Sequence, residues 1–550
     1  MKGKLVLIVL LLVAGEAFAQ NTNPLRFEIA TPDGTNPINY VATSKNGICV
    51  FFPTKSEAGK DSISWTFTVL NDQLKETWHK QVPLHKDVAF LKSVATEQAI
   101  YLLFHDTKRN KDGNIFVFMV VPWLQVITEH RGMIPDKAEV VDFEIANAYA
   151  FIGYNSRKEP SGIMAFSLMS GEKRNYAITS EKDALLLDIA IDSARADIYA
   201  TYKVQYSSIR NHIFVNKYNS IGGLENTFDF GEQNERKNFN SAQYIPMGNR
   251  AGLLAGTYGY NVASTRRQYD YYDNYYNSYY NNYYAFNNPR LLDYDANQDR
   301  TPVSDGYFTA KVDNGVAGKI KYYNFSKFTN AFKYITDANA MRLKFKSEKK
   351  NENHADGEQS ESGNDNDRSL YLRLIAHEIR SNGHLFVMTS EAYSPEYHTN
   401  TQMSYDYYGR SFPTTTQVFD GYRYSHAFVA GFDSAGNMAW NNGMEMRDII
   451  TKYLNRKLNC NFEDDESILF YNANNKIAFK TINGSAVVEN TAYAPVPLKR
   501  GTDKPMDEYL GSIEHWYGDY FVATGYQNIH NNYLENSKRT VFYICKMAFR

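Results

Sequence analysis

The run YDYYDNYYNSYYNNYYAF, from Tyr269 to Phe286, places nine tyrosines in the sixteen residues up to Tyr284. Tyrosine interleaved with Asn, Asp and Ser is recognition chemistry: broad amphipathic rings that lose little rotamer entropy, beside small polar hydrogen bonders. Tyr269, Tyr271, Tyr272, Tyr275, Tyr276, Tyr279, Tyr280, Tyr283 and Tyr284 are therefore the first binding candidates. A second set, Tyr405, Tyr407, Tyr408, Tyr422 and Tyr424, lies in EAYSPEYHTNTQMSYDYYGRSFPTTTQVFDGYRYS. Metal chemistry is weakly supported. AHEIRSNGH carries His377, Glu378 and His384, but a zinc hydrolase needs H-E-x-x-H on a helix, and Arg380 and Ser381 break that pattern. DANQDRTPVSDG sets Asp295, Asn297 and Asp299 at alternate positions, as a calcium loop opens. Arg300 then stands where glycine is required, and no Glu follows at the twelfth position. Loosely held calcium near those three residues is the most the spacing offers, and no other cofactor is expected. No nucleophile elbow, Walker loop or dinucleotide fingerprint occurs, so no catalytic residue is assigned.

The elements that must carry these residues repeat. A short apolar strand recurs at Ile48, Ile100, Tyr149, Ile198, Leu253, Leu385, Ile468 and Tyr520, and most of the steps lie near fifty residues. Each anchor follows another candidate strand and a turn, as in EVVDFEIANA and ALLLDIAIDSARA. Each is followed by a third strand and a Gly/Asn turn such as VDNG or INGS, suited to a hairpin needing positive φ. Four antiparallel strands, here A to D, thus recur about every fifty residues, within the range of propeller blades. Helical pattern is confined to possible short pieces near 328–345 and 446–458. The last module stops after its C strand, while LRFEIA near the N-terminus belongs to no module and is free to supply the missing D strand.

On these modules the chain resembles β-propellers in general. The resemblance implies an all-β fold of about eight, alternatively seven, four-stranded blades closed by an N-terminal strand. One propeller domain is expected over 20–550. It is interrupted by a Tyr/Asn-rich insertion at 258–305, an acidic one at 346–369 and a Tyr-rich one at 391–425. The middle insertion has the composition of a solvated, disordered linker. All three belong to B–C loops or D–A connections, which leave a blade on the same side, so they should crowd one face over blades 5 and 6.

Residues 1–19 have the basic start, short apolar run and small-x-small end (Ala17-Phe18-Ala19) of a secretory signal peptide. Export to the periplasm, the cell surface or the medium of a bacterium is expected. The formal charge of −2 argues against a nucleic-acid partner held through phosphates. Three cysteines are too few for a disulfide framework, and buried strand thiols are expected. The expected protein is a monomeric, non-catalytic binding or scaffold propeller that recognises an envelope protein or a glycan through its tyrosines. The alternative is a hydrolase or lyase acting on glycan or peptide in the central funnel, where the A strands offer only Glu144, Asp188, Arg373 and Glu514.

Overall fold

The computed structural model describes residues 25–548 apart from 32–36, 44, 46, 60, 107–112, 157–158, 179–183, 208–209, 232–236, 249, 261–302, 332, 334–369, 371, 382–384, 406–407, 453, 464–465 and 534–536. These residues form eight antiparallel sheets that follow one another along the chain. Blade 3 sets the pattern: Glu139–Ala146, Tyr149–Asn155, Gly162–Ser167 and Lys173–Ala177 pair in sequence order as A, B, C and D. The protein is a β-propeller. All the strand anchors read from the sequence fall in or beside B strands. The seventh A strand, the hardest to read, is the five-residue Asn459–Glu463. Among the described residues of 446–458 no helix forms, and Ile450–Thr451 is instead a short extended pairing.

The ring closes as the unpaired ends require. Arg26–Ala30 pairs antiparallel with Lys538–Ala548, from Arg26 opposite Cys545 to Ala30 opposite Val541. It becomes the D strand of blade 8 and covers an edge that would otherwise recruit other chains. Arg26 locks the joint. Its guanidinium pairs with Glu28 at 2.8 Å, donates to Gln527 at 2.8 Å and to the Pro497 carbonyl at 2.7 Å, and lies 4.5 Å from the centre of the Tyr543 ring.

Apolar residues alternate onto both faces of each sheet because every blade is sandwiched by two others. The described core divides into eight clusters, each spanning one pair of neighbouring blades, including the pair of blades 8 and 1. Between blades 1 and 2 it is aromatic: Phe51 meets Phe90 edge-on at 4.8 Å, and Trp65 meets Phe104 at 5.1 Å. Full burial of such a ring stabilises by roughly 1.5–3 kcal/mol. Cys49, Cys460 and Cys545 are free, buried thiols in these layers, and burial pushes each up to about 12. Among the described residues no helix is long and apolar enough to cross a membrane.

Candidate functional site

Consecutive A strands touch one another in blades 1 to 5 and in blades 7 and 8, which places A strands at the centre of the ring. Four of them break register at one matching point: Phe90/Lys92, Val140/Asp142, Leu186/Asp188 and Phe239/Ser241. A bulge of this kind bends the strand and re-aims the side chain that follows it. Here that side chain is polar each time. The bulge also strips backbone groups of their ladder partners, and in two blades an asparagine of the preceding blade replaces them. Asn155 accepts from Leu186 N at 2.8 Å and donates to Leu186 O at 3.0 Å. Asn211 does the same for Phe239, at 3.1 and 3.4 Å.

The bulges bring charges together in the centre. Lys92 meets Asp142 at 2.8 Å, and the other Asp142 oxygen accepts from Ile189 N at 3.0 Å. Glu144 is pushed up to about 8 by burial, then by the charges of Asp142 and Glu378. Asp188 is raised well above its usual range by burial, with Asp142, Glu378 and Glu144 adding to it. Glu378 comes from blade 6, across the ring from blades 3 and 4. Its side chain is 71% exposed, and although desolvation would raise it, Arg456, 3.3 Å away, and Lys92 hold it below its ordinary value. Glu514 of blade 8 is pushed up to about 7 by burial, against the pull of Arg380 and a hydrogen bond with Tyr40.

Of the four inner residues read from the sequence, Glu144 and Asp188 therefore converge, and Glu514 lies within the field of Arg380. Arg373 pairs its backbone with Val303. Lys92, Asp142, Glu378 as a channel group, and Arg456 were missed. The recurring apolar-x-polar triplets FLK, VVD, LLD and FNS at one point of these four A strands were the available signal. Chemically, the arrangement sets the Glu144 carboxyl, pushed up to about 8 by burial, on the same strand as the Asp142 carboxyl that is ion-paired with Lys92. Among the described residues no group of three His, Cys, Asp or Glu side chains is placed to hold a metal. His377 instead meets Glu391 at 2.6 Å, and that carboxylate is fully buried and also accepts from Lys457 N and Leu458 N.

The tyrosine candidates divide. Tyr269 to Tyr284, Tyr407 and the side chain of Tyr405 lie outside the described residues, as do Asp295, Asn297 and Asp299 and the acidic segment 346–369. The expected loop at 391–425 is in fact a ribbon. Strands Phe386–Tyr405 and Ser411–Phe432 run on together past the blade, with Arg423 bridging to Glu396 and His398 to Asp420. At about 3.3 Å per residue, the part beyond Tyr393 extends roughly 40 Å. Tyr408 stands at its tip, 78% exposed. Tyr422 and Tyr424 correct the expectation that they face outwards. They are 5% and 1% exposed and pack with Tyr393 against Leu454 and Leu458 in the layer between blades 6 and 7. They sit at the root of the ribbon, where its strands rejoin the blade, so their rings fill core.

The Tyr/Asn insertion leaves blade 5 after Gly252–Tyr260. It returns through Val303–Ser304, which pairs with Arg373 and Leu372 on the inner strand of blade 6. Asn240, the bulge residue of blade 5, donates to Val303 O at 2.9 Å. Val303–Ser304 is thus fixed between the inner strands of blades 5 and 6. A cleft of about 260 Å³ opens where blades 6, 7 and 8 meet.

No family model and no curated protein sequence matches the chain. Among solved structures, the polysaccharide lyase Uly1 aligns over 83% of this chain and 89% of its own, at 9% identity and a TM-score of 0.37. A study of two prolyl endopeptidases provides another alignment, at 7% identity and a TM-score of 0.34, over 88% of this chain and 53% of theirs. An apocarotenoid oxygenase of Synechocystis aligns over 40% and 56%, at 9% identity and a TM-score of 0.27. This chain spans about half the length of the latter two. These likenesses concern architecture alone.

Proposed function

We propose that the protein is an exported, non-catalytic binding propeller that recognises an envelope protein or a glycan on the face carrying its insertions. One observation supports the reading: Val303–Ser304, which follows the Tyr/Asn insertion in the chain, pairs with the innermost strand of blade 6, the blade from which the ribbon is also built. The ribbon rises from the B and C strands of that same blade, exposing Thr399, Asn400, Thr401, Gln402 and Thr414 to Thr416 on its strands and Tyr408 at its tip. Aromatic rings offered beside such polar rows stack on sugars or fill protein pockets, at roughly 0.5–1.5 kcal/mol per good contact. Tyr422 and Tyr424 take no part in this surface.

The test is to excise 262–299 with a short Gly/Ser bridge. Shortening a surface connection costs little, so the thermal midpoint should stay near that of the parent. Capture of the natural partner from envelope extracts or glycan arrays should be lost. A trimmed protein that folds and binds everything the parent binds would sink the proposal.

A second reading has its own support in the paired environments of Glu144 and Asp142. In that reading the channel is a hydrolase or lyase site, Glu144 acting as acid and Asp142 as base. Turnover of a polysaccharide or peptide panel would then show a pH limb near 8 that Glu144→Gln abolishes. If the whole panel survives incubation with the parent, this reading falls.

A further inference from the structure

The cleft at the junction of blades 6, 7 and 8 is assembled from three pieces of chain. They are the connection through Asp448 and Thr451 after blade 6, the B–C turn of blade 7 beside Asn472, and the start of the inner strand of blade 8 from Glu508 to Gly511. Its backbone is unusual. Asp448, Asn474 and Leu510 all have φ between +50° and +60° (59°, 53° and 54°). A leucine in the left-handed region is a genuine outlier, and such residues persist where surrounding structure over-determines them, often at ligand sites. Leu510 lies inside the register break between Tyr509 and Ser512.

Its polar groups are only partly satisfied. Lys457 is 3% exposed, and its amine has one acceptor among the described residues, Gly511 O at 2.9 Å. An ammonium has three donors to place. The Asn472 side chain donates to Glu508, Tyr543 and two backbone carbonyls, while its Oδ1 is buried without a partner among the described residues. Buried polar atoms left in this state are uncommon and call for an explanation. Glu508 is already engaged, accepting from Asn475 N at 2.6 Å and from the Tyr543 hydroxyl. What remains for a ligand is donor capacity at Lys457 and acceptor capacity at Asn472, beside the apolar surfaces of Ile449, Ile450 and Tyr509. A sugar hydroxyl can both donate and accept at one atom and so can meet both. The volume corresponds to roughly nine waters at about 30 Å³ each, which is the scale of one sugar ring.

We infer that this cleft is a subsite for one neutral sugar ring, its hydroxyls bridging Lys457, Asn472 and the Asp448 carboxylate. The inference rests on the glycan form of the binding reading above and gives it a second, separately testable place. The probes are a neutral hexose, an N-acetylhexosamine, a hexuronic acid and a primary alkylamine, titrated against the intact chain by saturation-transfer NMR and calorimetry. A neutral sugar should bind saturably, and Asp448→Gly should weaken it about fivefold, as expected for losing roughly one hydrogen bond. Glycine accepts the positive φ at that position, so the thermal midpoint should not move. Ala473→Phe, which fills the cleft, should abolish binding, and excision of 262–299 should leave it intact. The inference is overturned if no neutral sugar binds, if only the uronic acid or the amine binds, or if both cleft variants bind like the parent. Partner capture that survives in the cleft variants while sugar binding was never seen would overturn the cleft alone. Loss of capture on excision with cleft binding retained supports both sites.

Discussion

Replacing Arg26 by Ala tests the ring closure at a single atom group. The guanidinium is fully buried, and two of its partners, the Glu28 carboxylate and Gln527, are themselves nearly or wholly inside the protein, while the Pro497 carbonyl is half-buried. Removing one member of a buried ion pair costs about 3–5 kcal/mol, because the other charge stays behind uncompensated. Some of that is offset here, since Arg539 lies 3.5 Å from Glu28 and can take more of its charge. An estimate of about 3 kcal/mol follows. Unfolding entropy near 2.1 cal/mol/K per residue gives about 1 kcal/mol/K for a ring of some 500 residues that unfolds as one unit. The midpoint should therefore fall by about 3 °C in scanning calorimetry. Glu28→Gln on top of Arg26→Ala should restore part of the loss, since it removes the stranded carboxylate. Midpoints for parent and Arg26→Ala within about 0.5 °C of each other would refute the reasoning, as would a double variant worse than the sum of the singles.

A chain beginning at Asp33 loses the closing strand but keeps Ile38 N on the Tyr526 hydroxyl; it should melt well below the parent and self-associate on light scattering, because the C strand of blade 8 becomes an open edge. Glu144 binds its proton more tightly folded, at about 8, than unfolded, near 4.5, so its contribution to stability is complete below about pH 4.5 and lost as pH rises through 8. Glu144→Gln should accordingly flatten the fall in urea midpoint between pH 5 and pH 8.5. With all three cysteines buried and their thiols pushed up to about 12, a disulfide reagent should find no reactive thiol in the native protein and three after denaturation. Asn155→Ala strips Leu186 of both side-chain partners and should cost roughly 1–3 kcal/mol in chemical denaturation, whereas an exposed asparagine such as Asn400 should tolerate the same change.

What was legible followed from burial. B strands sit between two blades and read as unbroken apolar runs, so Ile48 to Tyr520 could be anchored one after another. The closing strand was legible as a remainder, since LRFEIA had no module and the last module had no D strand. The ribbon was not, because a two-stranded extension beyond the disc buries neither face and loses the alternation that marks a strand. Tyr422 and Tyr424 were misread for the same reason: they share composition with the ribbon but stand where it enters the core. The coupling among the central charges was illegible for a different one. The charge of Glu378, from blade 6, acts on Glu144 and Asp188 of blades 3 and 4, and no local pattern announces an influence at that sequence separation.

The buried guanidinium of Arg26 and the thiol of Cys545 meet 519 residues apart along the chain. The strand Arg26–Ala30 therefore has no partner until Lys538–Ala548 has left the ribosome. Blades 1 to 7 can form as local hairpins while synthesis continues, but blade 8 cannot be completed early by any route. Contacts of such separation are intrinsically slow to form. The joint acts as a check on completeness. A product that lacks Lys538–Ala548, or lacks Arg26–Ala30, carries an open edge that marks it for association or proteolysis, and only a molecule with both strands covers both edges.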